Sequence, residues 1–127
     1  HLTALESSGV AWVLGGDFNA LPPGDDYKRL AEEGASYGPE TPMTKLYDHY
    51  TPIWGEHALR DGPKAIRTYL PFGASEPDRT IDYGFVGREV SLLGAEVLQE
   101  WDISDHLPFV IRMSLEPRAI EAAAEMP

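Results

Sequence analysis

Residues 10–24 read VAWVLGGDFNALPPG, and the interpretation of this stretch decides the fold. It opens as an apolar run and closes in Pro-Pro-Gly, a strand that runs out into a loop. Both faces of residues 10–16 are apolar, with Val10, Trp12 and Leu14 on one and Ala11 and Val13 on the other. That pattern predicts a central strand covered on both sides. Asp17 then falls at the strand's carboxyl end, where sheets of α/β proteins tend to bind ligands. Asn19 follows two positions later. Such a pair has an ordinary explanation in turn chemistry, because both side chains bond readily to nearby backbone. It has a chemical one if an acceptor and an amide donor are aimed at the same ligand.

Working outward, Leu2 and Leu5 sit at helical spacing before Gly9, so residues 1–8 read as the last turns of a helix. Residues 25–33 predict a short helix with acids in its first turn. Thr41-Pro42 reads as an N-cap followed by proline at the first helical position, opening a helix to about Tyr50. Residues 51–77, rich in Gly and Pro, read mainly as surface connection with a short strand at 67–70. Residues 80–86, TIDYGFV, alternate: Ile81, Tyr83 and Phe85 face one way, Thr80, Asp82 and Gly84 the other. This is a strand. Residues 90–99 and 109–115 predict two more, Pro117 ends the last, and 118–126 read as a weak helical tail.

At 127 residues the chain is one domain or part of one, with 43% hydrophobic and 10% aromatic residues, as a folded core requires. The absence of cysteine removes disulfides, thiolate chemistry and cysteine-based zinc sites. A net charge of −11 disfavours a broad nucleic-acid groove on this chain, because such a surface repels a phosphate backbone. Phosphate can still be bound through a divalent cation. No apolar run approaches the roughly 20 residues that cross a bilayer. A soluble protein is expected, cytoplasmic or secreted, and the compartment is left open. His1-Leu2-Thr3-Ala4 lacks an initiator methionine and reads as the middle of something longer.

Polar residues that interrupt apolar segments carry the chemical information. Asp17 with Asn19, Asp82, and SDHLP at 104–108 stand out. Each has a plain reading: a turn, a solvent-facing strand residue, and a loop imidazole that is merely hydrogen-bonded. His1, His49 and His57 have no partner motif. Ser104, Asp105 and His106 are consecutive, so alternating side-chain directions keep them from forming a nucleophilic triad among themselves. There is no Gly-x-Ser-x-Gly elbow and no His-x-x-x-His pair.

The combination is more specific than its parts. GGDFNALP, DRTIDYGFV and ISDHLPFVIRM, in that order and each beside a strand, resemble the endonuclease/exonuclease/phosphatase superfamily over residues 9–115. The resemblance implies an α+β fold of the deoxyribonuclease-I-like type. In it the chain is the C-terminal half of a four-layer α/β/β/α sandwich, a mixed sheet with flanking helices. The whole of 1–127 is then one incomplete domain, with its core at 9–115 and a tail at 116–127. His1-Leu2 is tempting as the family's first-half histidine motif but lies too close to GGDFN. A half-sandwich would leave Ile81, Tyr83 and Phe85, or the face of residues 10–14, as an apolar patch too large for a stable monomer. The expected partner is the missing N-terminal half or a second copy packed sheet to sheet.

The resemblance also implies roles. Asp17 orients or deprotonates an attacking water and approaches a metal, Asn19 donates its amide to a phosphate oxygen, and Asp105 is metal-associated. His106 sits against the scissile phosphoryl group, and Asp82 holds that histidine by a hydrogen bond. The implied cofactor is Mg²⁺ or Mn²⁺, a hard cation suited to carboxylate and phosphate oxygens. The implied reaction is hydrolysis of a phosphoester by in-line water attack, on nucleic acid, a phospholipid headgroup or a small phosphoester. The alternative is a non-catalytic half-domain, an assembly or binding module that retains the motifs. Arg67 and Arg79 are the nearest basic residues, each as well suited to a salt bridge as to a phosphate. The aromatic edge in RTYLPF, residues 67–72, is either a substrate wall or packing.

Overall fold

The computed structural model describes residues 1–30, 36–100 and 103–115. Three strands form one antiparallel sheet: β1 (Val13–Asp17), β2 (Thr51–Pro52) and β3 (Asp82–Val86), in the order β1-β3-β2. A second antiparallel sheet pairs β4 (Val90–Val97) with β5 (Phe109–Leu115), interrupted by a bulge between Leu92 and Gly94. Among the described residues, helices α1 (Leu2–Ser8), α2 (Met43–His49) and α3 (Glu56–Asp61) and two 3-10 turns, Tyr27–Leu30 and Pro63–Ile66, accompany the strands.

Register assigns every side chain of β1 and β3 to a face. Val13 lies opposite Val86, and the ladder runs down to Asp17 opposite Asp82. Gly87 N–H donates to the Trp12 carbonyl and Phe18 N–H to that of Ile81, both at 2.9 Å. The even-numbered positions of β1 are therefore the hydrogen-bonded ones. Leu14, Gly16, Tyr83 and Phe85 share one face, which packs on Phe18 and on Tyr47 of α2 through edge-to-face rings 5.8–6.4 Å apart. The other face carries Gly15 and Gly84, and against it come Phe109 and Ile111 of β5. A Cβ on Gly84 would lie 3.0 Å from both Ile111 Cδ1 and Ile53 Cδ1, so the missing side chain is what lets the sheets approach. The layers are thus helix, sheet, sheet. The outer side of the second sheet is mixed: Arg112 is paired to Glu96 at 3.3 Å and Ser91 lies opposite Ser114, with Val110 exposed beside them.

Several expectations change. The doubly covered strand is β3, all five of whose residues are buried, and not β1. Among the described residues β1 is an edge strand that begins only at Val13, itself 42% exposed; ahead of it Val10 is exposed and Trp12 buried. Apolar composition identified a strand but not its neighbours, and Gly15-Gly16 give β1 little to bury. Every ladder among the described residues is antiparallel, where a mixed sheet was expected. Residues 51–77 are mainly surface, as expected, but they are more than connection: they hold β2, α3 and a 3-10 turn, and Ile53, Trp54, Ile66 and Thr68 are buried. Their Gly and Pro cut the chain into short elements without removing it from the core. The strand expected at 67–70 shrinks to Tyr69, which bridges Arg79 on one side and His106 on the other. Ile81, Tyr83 and Phe85, expected to need a partner, are covered by the chain itself.

Elsewhere the reading holds. α1 stops at Gly9, whose φ of 73° suits glycine. Thr41 caps α2, its hydroxyl accepting the Met43 N–H at 3.2 Å and donating to the Leu21 carbonyl at 2.6 Å. Of the helix expected at 25–33, the described part forms only the 3-10 turn Tyr27–Leu30, which departs from that expectation; residues 31–35 lie outside the described set, as does the tail at 116–127.

Candidate active site

The register has an electrostatic consequence at its end. Asp17 and Asp82 face each other across a non-hydrogen-bonded pair of the antiparallel ladder, where side chains approach most closely. Like charges so placed repel and destabilise a sheet unless a positive group lies between them. His106 supplies it. Its Nδ1 lies 2.9 and 3.1 Å from the two carboxylate oxygens of Asp82, and its Nε2 lies 3.8 Å from Asp17 Oδ2. An ionised carboxylate only accepts, so Nδ1–H donates to Asp82 and Nε2 is left facing Asp17 and solvent.

Burial separates the roles. Asp82 is 8% exposed, and its backbone N–H donates to Thr68 Oγ1 at 3.2 Å while its carbonyl accepts Trp54 Nε1–H at 2.9 Å. Asp17 is open to solvent. Its Oδ1 accepts the Asn19 N–H at 2.8 Å, which is the turn chemistry that the motif also admits, and its Oδ2 faces His106. The turn explanation of the Asp-x-Asn pair is thus seen at Oδ1, while Oδ2 is turned toward the imidazole. Asn19 has φ 47°, a left-handed conformation that Asn tolerates, and its side chain is exposed. Asp105 is exposed as well. It accepts a hydrogen bond from the Ser104 hydroxyl at 3.3 Å and stands outside the Asp17–Asp82–His106 group.

The imidazole is held above its usual pKa. Partial burial, the largest single influence, pulls it down; the Asp82 hydrogen bond and the charges of Asp82, Asp17 and Asp105 together outweigh it. Tyr69 flanks the ring, its centroid 5.3 Å from that of His106. Behind Tyr69 lies Arg79, whose guanidinium carbon is 4.8 Å from the tyrosine ring and which is paired with Asp78 at 2.7 Å. Arg79 is 4% exposed, so of its two readings the ion pair is the one seen. Tyr69 packs, whereas Phe72, on the same segment, is fully exposed. His57 pairs with Asp61 on the surface of α3 at 2.9 Å. A cleft of about 880 Å³ lined by Tyr47, Leu59, Ile66, Arg67 and Thr80 contains none of the Asp17, Asp82 or His106 side chains.

Donor atoms of Asp17, Asp82 and His106 all lie within 4.8 Å of one another. Two carboxylates and an imidazole at that spacing fit a divalent cation by charge and by donor type. Thr68 and Trp54, which hold the backbone of Asp82, were not singled out in the sequence. A threonine inside a β-branched, aromatic segment carries no signal that its hydroxyl is used.

No curated protein and no solved structure matches this chain. A family model does, described as the Endonuclease/Exonuclease/phosphatase family, and it spans residues 2–106, from α1 to the imidazole of the dyad. With most of its length matched, and with the three motifs brought to one face of the sheet, the chain belongs to the endonuclease/exonuclease/phosphatase family.

Proposed function

We propose that this chain carries the catalytic residues of a divalent-metal-dependent phosphoester hydrolase. The observation that supports it is the imidazole of His106 suspended between a buried carboxylate, Asp82, and an exposed one, Asp17. Asp82 fixes the tautomer and orientation of the ring through Nδ1, leaving Nε2 to give a hydrogen bond or proton to a phosphoryl oxygen. Asp17 Oδ2 accepts from the attacking water, and Asn19, whose amide is exposed beside it, donates to a phosphoryl oxygen. Mg²⁺ or Mn²⁺ would be held by Asp17, whose Oδ2 faces the imidazole, together with Asp105, which the resemblance makes metal-associated although it stands outside the Asp17–Asp82–His106 group. When bound, the ion neutralises phosphoryl charge. The net charge of −11 supports a compact phosphoester over duplex nucleic acid.

The assignment is tested by hydrolysis of a chromogenic phosphodiester by the full chain with Mg²⁺ or Mn²⁺. His106→Ala should lower turnover by about 100-fold or more. Normal turnover in that variant would refute the role of the ring.

A second reading, a non-catalytic half-domain that needs completion in a four-layer sandwich, is favoured by the edge position of β1. The backbone groups of Val13, Gly15 and Asp17 that point away from β3 have no strand to pair with among the described residues. An N-terminal half or a second copy would complete it. Calorimetric titration with Mn²⁺ separates the two: stoichiometric binding supports a site competent alone, and its absence supports the half-domain.

A further inference from the structure

Asp82 opens β3 of one sheet, and His106 lies in the loop that leads into β5 of the other. β3 pairs with β1 and β2, β5 pairs with β4, and among the described residues no ladder joins the two sheets. Yet Nδ1 meets both oxygens of Asp82, a geometry that depends on how that loop is placed against the start of β3. Residues 68–70 make the connection. On one side, Thr68 and Tyr69 N–H both donate to the Arg79 carbonyl, at 2.9 and 3.0 Å. On the other, Leu107 N–H donates to the Thr68 carbonyl and Leu70 N–H to the Asp105 carbonyl, both at 2.7 Å. The residues on either side of His106 are thus tied to one short segment, and Tyr69 lies against the imidazole between them.

Thr68 adds a side-chain bond that this backbone pattern does not require. It is fully buried, and its Oγ1 accepts two N–H groups, from Ile81 at 3.1 Å and from Asp82 at 3.2 Å. Among the described residues no strand lies beside β3 at Asp82 on the β2 side, because the β2 ladder stops with Pro52 opposite Phe85. The hydroxyl stands in for a missing strand there. One residue therefore holds the backbone of the orienting aspartate by its side chain and that of the histidine loop by its carbonyl.

We infer that Thr68 is the positioning residue of the Asp82–His106 pair. This rests on the proposed hydrolase reading for its catalytic meaning, but its structural claim stands apart. Thr68→Val keeps the shape and removes the acceptor, leaving two buried N–H groups unpaired. Thr68→Ser restores the oxygen.

The test is proton exchange in the full chain, labelled with ¹⁵N at imidazole and backbone and held in chelator at low temperature. In wild type, a His106 Nδ1–H signal should be visible, and the Ile81 and Asp82 amides should be protected. Thr68→Val should speed Nδ1–H exchange by tenfold or more while the amide spectrum outside residues 68–70, 79–82 and 104–107 stays unchanged; Thr68→Ser should return it toward wild type. A role confined to folding stability would lower the melting temperature in both variants without this split. Unaltered Nδ1–H exchange in Thr68→Val would overturn the inference. So would free exchange of the Ile81 and Asp82 amides in wild type, which needs no variant. Should hydrolysis be absent while the exchange results come out as expected, the enzymatic reading falls and the clamp remains.

Discussion

At the scale of single residues, one side chain is shared between two negative neighbours. His106 is raised above its usual 6.5, so its interaction with Asp82 stabilises the fold fully below pH 6.5 and is lost as pH rises through the elevated value. In chelator, the urea-unfolding stabilities of wild type and Asp82→Asn should differ most below about pH 6.5 and draw together only as pH rises through the elevated value. A difference independent of pH between about 5.5 and 9 would show that the pair is not charged in the native state. The residues at stake were legible because Asp, Asn and His interrupt strands that are otherwise apolar. Their division of labour was not. That Asp17 gives one oxygen to a turn and keeps the other for the site depends on backbone geometry that the letters do not carry.

At the scale of elements, boundaries with local causes were readable and neighbours were not. Gly9 ends α1 and Thr41 caps α2 through atoms a few positions away. The alternation in residues 80–86 gave the right faces for β3, since the register puts Tyr83 and Phe85 together and Asp82 opposite Asp17. Which strand is central was misjudged, because composition is a property of the strand and burial a property of what lies beside it. Gly84 is the clearest instance: its meaning is Ile111 and Ile53, remote in sequence and 3.0 Å from where a methyl would be. Gly84→Ala should cost about 1–3 kcal/mol in urea denaturation, and Ile111→Val in the same chain should recover part of it. Full stability of Gly84→Ala would mean that the sheets slide apart freely at this contact.

Seen whole, the molecule is acidic, with an aromatic core on one side of β3 and a second sheet on the other, and its chemistry is collected where the two sheets end. The family was legible from three motifs in order, because each motif must reach the same few ångströms of space. The substrate was not legible, since nothing among those motifs touches what lies beyond a phosphoryl group. The two aspartates that face each other across β1 and β3 make the fold itself hungry for positive charge. Wild type answers from within, through the His106 ring that both carboxylates face; a chain lacking that ring must borrow an answer from solution. Millimolar Mn²⁺ should therefore raise the melting temperature of His106→Ala by more than it raises that of wild type, measured by calorimetry with and without the ion. The variant would then regain from the medium the cohesion that the native ring supplies, and the two sources of positive charge could be told apart in a single test tube.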